Sequence, residues 1–203
     1  MSEDKRIQIL VAAVGQIERS GEASVRLRDI AREVGISEPS IYHYFANREQ
    51  LIVSAHAHRF EVNLLQTLTP FIDALVECTS ADDFIEILIR LYRSSFPDVR
   101  VVARATRAEI VGASNLRPLL REEIAATTKR LFAPAIELLR NAQAQGWLRA
   151  SIDIDAFAYW NLATITGLVF AELLADEEVV VQYREFLLES VELTIRGPQG
   201  GPG

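Results

Sequence analysis

The stretch from residue 25 to residue 51 constrains the fold most, because its apolar residues and helix breakers predict two short helices joined by a tight turn. Apolar residues recur at helical spacing along the first of these helices, at Leu27, Ile30, Ala31 and Val34. Gly35 follows directly, where the chain must turn through a backbone conformation that glycine adopts without steric cost. We therefore expect the first short helix to end there.

The second short helix begins at Ser37, a good N-cap residue, and has Pro39 in its first turn, where a missing backbone N–H costs nothing. Ile41 and Phe45 are four residues apart and should face inward onto the first helix. The outer surface then carries Glu38, Pro39, Ser40, His43 and Tyr44. This layout predicts a helix-turn-helix that turns its outer surface to the major groove of DNA.

Helices are also predicted on both sides of this motif. Before it, apolar residues repeat at steps of three and four from about Asp4 to Arg19, which completes a three-helix unit. After it, Asn47 should cap a long connecting helix, and Gln50 can return a hydrogen bond to the backbone of the cap. We expect Leu51, Ala55, Val62 and Leu65 to form the inward face of this helix, which Pro70 ends or kinks.

Three runs of residues carry a family resemblance: Asp29 to Ser37 (DIAREVGIS), Ile41 to Phe45 (IYHYF) and Asn47 to Leu51 (NREQL). A Tyr-x-Tyr-Phe ending, followed closely by a cap and a basic residue, resembles the TetR family of one-component transcriptional repressors. These motifs cover about the first quarter of the chain. The total length and an all-helical remainder are also typical of that family.

The resemblance implies phosphate contacts from Tyr42, Tyr44 and Arg48, which position the reading helix without selecting sequence. Candidates for contact with base edges or nearby backbone are Arg28, Ser37, Glu38, Pro39, Ser40 and His43. Arg28 could donate two hydrogen bonds to a guanine, and Glu38 could accept one from the amino group of a cytosine. The Pro39 ring could make apolar contact with a thymine methyl group.

Two residues depart from the common pattern of the family. Arg26 stands where a threonine or serine usually caps the second helix, so a cap is lost and a mobile cation is gained. Whether Arg26 contacts phosphate stays open. Glu38 places an anion at the groove, where it repels phosphate unless it finds a base donor, and it should therefore narrow the choice of operator.

Charge is the observation that speaks against a nucleic-acid binder. The formal net charge is −7, and residues 1–50 carry seven Lys or Arg against eight Asp or Glu. Placement matters more than the total, because Arg26, Arg28 and Arg48 lie at or near helix starts that would face the duplex. Affinity should therefore be strongly salt-dependent, and modest for nonspecific DNA.

The remaining chain predicts an all-α fold in three parts: a helix-turn-helix DNA-binding domain (1–47), a helical effector-binding and dimerisation domain (48–196) and a flexible tail (197–203). Helices are expected at about 80–95, 98–111, 116–145, 154–174 and 178–195. The helix at 154–174 is apolar almost all round and must be covered on several sides. We expect the last two helices to form a homodimer through a four-helix bundle.

Several other residue groups were weighed as sites. A metal site at His56, His58 and Glu61 is disfavoured, because the two histidines point to different sides of a helix, and a partly exposed helix face is the better interpretation. Arg100, Arg104 and Arg107 share one face, which suits a solvated stripe, a buried anion site or pairing with a neighbouring carboxylate. Aromatic residues between positions 92 and 170 suit core or cavity: Tyr92, Phe96, Phe132, Tyr159, Trp160 and Phe170.

Taken with the resemblance, the sequence predicts a repressor that an unidentified small-molecule effector releases from a palindromic DNA operator. No cofactor or metal is expected. A single cysteine, Cys78, and the absence of a signal peptide or a span of about 20 apolar residues predict a cytoplasmic protein without membrane contact.

Two other hypotheses stay open. The first is a DNA-binding protein of the same fold that works without a small ligand, regulated by a protein partner or constitutively active. A larger domain without a cavity would favour it. The second is a helical-bundle enzyme or lipid carrier with a borrowed helix-turn-helix, which no carboxylate pair or nucleophile-base spacing supports.

Overall fold

The computed structural model describes residues 2–173 and 176–196, and all regular structure in these residues is helical. The α-helices are α1 (Ser2–Ser20), α2 (Leu27–Glu33), α3 (Glu38–Ile41), α4 (Arg48–Val76), α5 (Ala81–Ser95), α6 (Val101–Ser114), α7 (Pro118–Ala144), α8 (Ile154–Leu173) and α9 (Glu177–Arg196). Short 3-10 turns lie at Glu22–Ser24 and Asp98–Arg100. The all-α prediction is confirmed. Leu174, placed at the end of a helix by the sequence, and the tail Gly197–Gly203 lie outside the described residues.

The chain divides into two compact units. The first consists of residues 1–62 and 110–127, and the second of residues 63–109 and 128–203. Helices α4, α6 and α7 each have one part in the first unit and one part in the second. The predicted functional boundary between residues 47 and 48 stays a prediction.

The core of the first unit explains why α3 exists. With only four residues, α3 is far shorter than a helix that is stable in isolation. Ile41 and Phe45 are almost completely buried, in one core with Ile9, Ile30 and Leu51. Burying two such side chains contributes roughly 3–6 kcal/mol before the entropy of ordering the chain is subtracted. Packing therefore holds this helix, in the orientation that the sequence predicts.

Breakers and caps lie where the sequence places them. Gly35 ends α2 with a φ of 70°, in the left-handed region that favours glycine. The Asn47 side chain accepts a hydrogen bond from Gln50 N at 2.8 Å, which caps α4. Gln50 Oε1 accepts a hydrogen bond from Ala46 N at 2.5 Å, one residue earlier along the chain than the predicted partner Asn47. The start of α4 is thereby fixed immediately after Phe45.

The buried face of α4 differs from the prediction in its second half. Leu51 and Ala55 are buried as expected, but Val62 and Leu65 are exposed. Leu64, Leu68 and Phe71 take their place. The prediction assumes that one side of this helix is buried over its whole length, whereas the buried side changes along the helix. Pro70 lies inside α4, which continues to Val76.

In the second unit, α9 packs against α5 and α8. A buried hydrogen bond runs from the Tyr92 hydroxyl to Asn161 Oδ1 at 2.6 Å, and Asn161 Nδ2 donates to the carbonyl of Phe157. The polar groups of this Asn161 side chain are thus satisfied inside the bundle.

The prediction that no apolar span reaches about 20 residues is wrong for α8. By length and composition this helix could cross a membrane, a test that the core helix of a soluble protein also passes. Seven of its residues are buried within the unit: Ile154, Phe157, Ala158, Asn161, Ile165, Leu168 and Ala171. Phe170 and Leu173 near its end are 73% and 74% exposed.

Candidate DNA-binding surface and interior cavity

The outward side of α3 and its flanks presents most of the predicted contact residues. Seven of them are exposed: Arg26, Arg28, Ser37, Glu38, Pro39, Tyr42 and His43. The other three, Ser40, Tyr44 and Arg48, are half-buried. Ile41 and Phe45 are buried, so the exposed residues Glu38, Pro39, Tyr42 and His43 lie on the other side of the same segment.

The two tyrosines of the motif have different environments. Tyr42 is 51% exposed, and its side chain is available to a DNA backbone. Tyr44 is partly buried and packs against the core of the first unit. The prediction that Tyr44 lies on the outer surface is therefore only partly right, because part of its ring is used for packing.

Ser37 occupies the N-cap position of α3, but its hydroxyl makes no capping bond to the backbone. Instead, Ser37 Oγ and Ser40 Oγ lie 2.7 Å apart and share a hydrogen bond. The start of α3 is held by the Ser37 carbonyl, which accepts from Ser40 N at 3.0 Å. Both hydroxyls have acceptor lone pairs left for a further donor.

Arg48 and Arg26 both bind the connection between α1 and α2. Arg48 donates from Nε to the Val25 carbonyl at 3.1 Å and from Nη2 to the Glu22 carbonyl at 2.8 Å. Arg26 donates from Nη1 to the Ala23 carbonyl at 2.8 Å, although it is exposed. The lost side-chain cap at Arg26 is as predicted. Both guanidinium groups thus stabilise this loop internally.

A cluster formed by Glu22, His56 and Arg117 lies in the first unit and was missed from sequence. Arg117 Nη1 and Nη2 donate to the Glu22 carboxylate at 2.7 and 2.5 Å, a bidentate pair. His56 Nε2 lies 3.1 Å from Glu22 Oε2. Hydrogen bonding to Arg117 lowers the pKa of Glu22 from 4.5 to about 2, and it raises the pKa of Arg117.

The expectation of a partly exposed face at His56 is wrong, since its side chain is buried, whereas His58 is half-buried. Sequence spacing carries no signal for the Glu22 cluster, because its members lie 34 and 95 residues apart along the chain. Among the residues that the structure describes, no group of three or more His, Cys, Asp or Glu is arranged to bind a metal ion.

The second unit contains a small interior cavity of about 30 Å³, far below the roughly 300–1,000 Å³ of ordinary ligand pockets. Its lining is mostly apolar and includes Leu64, Leu68, Phe71, Phe132, Leu139 and Ile165. Of the aromatic residues weighed from sequence, Phe132 lines the cavity, whereas Phe170 is exposed. A more open cleft of about 510 Å³ shares Thr67, Phe71 and Leu91 with the cavity.

The three arginines of the predicted stripe differ in their partners. Arg104 is buried and pairs with the Glu172 carboxylate and the Ser95 carbonyl. Arg107, also buried, lines the cavity and contacts only neutral groups in the described part of the chain, at Asn63 and Thr166. Arg100 lines the open cleft. The pairing of an arginine with a neighbouring carboxylate is thus right for Arg104 and wrong for Arg107.

Comparison with known proteins agrees with this geometry. Residues 9–55 match the family described as bacterial regulatory proteins, tetR family. The fatty acid metabolism regulator protein of Bacillus subtilis (strain 168) is 24% identical over 174 residues, which are 86% of each chain.

Solved structures of similar fold cover nearly the whole chain. A TetR-family transcriptional regulator from Rhodococcus sp. superposes with a TM-score of 0.67 at 24% identity, over 96% of this chain and 100% of the other. The transcriptional regulator FadR from Bacillus subtilis, in complex with stearoyl-CoA, gives a TM-score of 0.58 at 22% identity, over 94% and 98%. The tetR match lies on the helix-turn-helix described above, and the other helices adopt the fold of these regulators. Residues 9–55 therefore match the tetR family, and the chain as a whole has the fold of TetR-family transcriptional regulators.

Proposed function

We propose that this protein is a dimeric, cytoplasmic repressor that a small-molecule effector releases from a near-palindromic DNA operator. The observation that carries the proposal is the protruding side of α3, whose inward residues Ile41 and Phe45 are buried within the segment that matches the tetR family. A FadR structure of similar fold contains stearoyl-CoA, which supports a small-molecule effector here.

We assign the contact roles on the basis of exposure. Tyr42 and Arg28 are well placed to approach the duplex, and Glu38, Pro39 and His43 are the exposed candidates for base edges. Ser37 and Ser40 offer the lone pairs of their shared hydroxyl pair to backbone or base donors. Arg26, Tyr44 and Arg48 act mainly by holding the motif in shape, with any phosphate contact made by the polar atoms that remain free.

Dimerisation through α8 and α9 would present two copies of α3 to one duplex. Besides Phe170 and Leu173 on α8, the α9 side chains of Val181, Phe186 and Leu193 are exposed in the single chain. A group of exposed apolar side chains on two helices that pack together marks a candidate interaction surface, and a four-helix bundle of two subunits would cover it. Two subunits then read half-sites about one helical turn apart or more.

Coupling between effector and operator can use helices that belong to both units. Helices α4 and α6 each run from the second unit into the first, and Arg117 binds Glu22, next to the helix-turn-helix, just after α6 ends. A shift of α4 or α6 upon effector binding would change the orientation of α3. Such a coupling is typically worth roughly 1–3 kcal/mol.

The alternative is a regulator of the same fold that works without a small ligand. The small volume of the interior cavity favours it, because about 30 Å³ accommodates no metabolite without expansion. An enzymatic function has less support. Of the fourteen residues that line the interior cavity, one, Arg107, carries a charge, and the cavity lining contains no acid-base pair.

Selection of bound duplexes from random double-stranded DNA tests the proposal, with the full-length protein as bait. We expect a near-palindromic sequence whose binding weakens steeply with salt. Its release is then titrated against apolar metabolites and drugs. Failure to enrich any sequence would contradict DNA recognition, whereas an operator that no compound releases would favour the ligand-free alternative.

Replacing Glu38 tests its role in selecting sequence. We expect Glu38→Ala to change the base preference at one or two operator positions by about 1–3 kcal/mol. The affinity of the variant for its own preferred operator should remain close to that of the wild type. Glu33→Ala, on the exposed side of α2, serves as the control. Binding curves on a panel of single-base operator variants measure the effect. Equal weakening on every variant would contradict this role.

The dimer prediction is tested by sedimentation at micromolar concentration. We expect a dimer for the wild type, and a monomer when Phe170→Glu and Phe186→Glu are combined, because two charges per subunit would be buried in the bundle. Val102→Glu, which changes an exposed residue on α6, should remain dimeric. A wild-type monomer, or a dimer that survives the double change, would rule out this interface.

Acid should weaken the first unit through Glu22. The low pKa of this carboxyl means that its stabilisation is complete above its ordinary pKa of 4.5 and is lost as the pH falls towards about 2. Because Glu22 is partly exposed, we expect a contribution of about 1–2 kcal/mol. Denaturant unfolding of wild type and Glu22→Gln at pH 6 and pH 3 should show a smaller pH dependence for the variant. The control Glu33→Gln should show the same pH dependence as wild type. If the free energy of unfolding changes equally between pH 6 and pH 3 in all three proteins, Glu22 does not have this effect.

A further inference from the structure

Arg107 on α6 is a buried cation that no carboxylate among the described residues neutralises. Its side chain is 3% exposed. Nη1 donates to Asn63 Oδ1 at 2.6 Å, and Nε lies 3.4 Å from Thr166 Oγ1. Both partners are neutral, and in the part of the chain that the structure describes no acidic group binds this guanidinium.

Arg104, one helical turn earlier, provides the internal contrast. It is equally buried, but it donates to the Glu172 carboxylate and to the Ser95 carbonyl. Burial of Arg107 lowers its pKa to about 10, with further lowering by the charges of Arg104 and Arg100. A buried charge is normally paired, because leaving water is costly without a counter-ion. Arg107 therefore lacks the anion that its environment calls for.

The space next to Arg107 is apolar. Arg107 is one of the residues that line the interior cavity, together with side chains from α4, α7 and α8, among them Leu64, Phe132 and Ile165. Asn161 also lines the cavity, but its hydrogen-bonding groups are already used by Tyr92 and Phe157. A ligand here would meet one cation and otherwise mostly hydrocarbon.

We propose that Arg107 binds the carboxylate of an organic acid with an apolar body, and that this acid is the effector of the protein. The inference rests on the proposed function, since it names the chemical class of the effector. The apolar body would lie among the cavity side chains and continue towards the open cleft past Thr67, Phe71 and Leu91, which line both spaces. Because the cavity is small, the ligand must widen it by moving these side chains.

This arrangement selects between ligands. A cation would meet the unpaired charge of Arg107 and be repelled. A neutral alcohol or ester of the same length would leave that charge without a counter-ion, so it should bind more weakly. An acyl thioester offers only a carbonyl oxygen to Arg107, and its large head group would have to remain in the open cleft.

The test uses the full-length dimer and four probes that share a ten-carbon chain: decanoate, decanol, decanoyl-CoA and decyltrimethylammonium. Calorimetric titration below the micelle-forming concentrations gives their affinities. We expect decanoate to bind about ten- to a hundredfold more tightly than decanol, as for a hydrogen bond to a charged group, and the ammonium not to bind.

Variants then assign the contact. Arg107→Gln should abolish the preference for decanoate over decanol, and Arg107→Lys should restore part of it. Arg90→Gln, an exposed position that lines only the cleft, should retain the wild-type preference. Decanol binding to Arg107→Gln checks that the apolar site is still formed. If Arg107→Gln no longer binds decanol, the affinities of Arg107→Lys for decanoate and decanol are compared instead. A preference for decanoate in that variant is expected only if the cation at position 107 recognises the carboxylate.

Several results would overturn the inference. These are equal binding of decanoate and decanol to the wild type, an undiminished preference in Arg107→Gln, or decanoyl-CoA binding that is tighter than decanoate binding and unaffected by Arg107→Gln. Operator release is measured separately. Binding of decanoate through Arg107 without any release would contradict the role as effector but leave the site. Release by a neutral or cationic compound, with no effect of the acid, would contradict this inference and leave the proposed function.

Discussion

The burial of Ile41 and Phe45 is the interaction on which the DNA-binding surface depends. A four-residue helix has no stability of its own, so α3 exists because these two side chains pack into the core with Ile9, Ile30 and Leu51. The same burial turns Glu38, Tyr42 and His43 outward. Core packing thus determines both that the short helix forms and which of its residues are exposed on the proposed DNA-binding surface.

Charged groups fix the loop on which this motif rests. Arg48 and Arg26 donate to loop carbonyls between residues 22 and 25, and Arg117 binds the Glu22 side chain. The pair between Arg117 and Glu22 links residues 110–127 to the segment before the helix-turn-helix, and both belong to the same compact unit. The two buried arginines of α6 differ in their surroundings. Arg104 pairs with Glu172, whereas Arg107 is one of the residues that line the interior cavity.

Most of the fold could be predicted from sequence, because local signals decide it. Gly35, Asn47 and Ser80 act within a few residues of their own positions, and each lies where a helix ends or begins. The buried face of α4 could not be extended past Ala55, since it depends on which helices cover each part. The Glu22 cluster and the unpaired charge of Arg107 depend on residues far apart in sequence, so no spacing rule could indicate them.

The central claim is that two copies of the protruding α3 surface read one duplex at successive turns. A hydroxyl-radical footprint of the full-length protein on its selected operator tests this most directly. We expect two protected patches on one side of the duplex, related by the operator symmetry and about one helical turn apart or more. A single protected patch, or two patches on opposite sides of the DNA, would contradict the account.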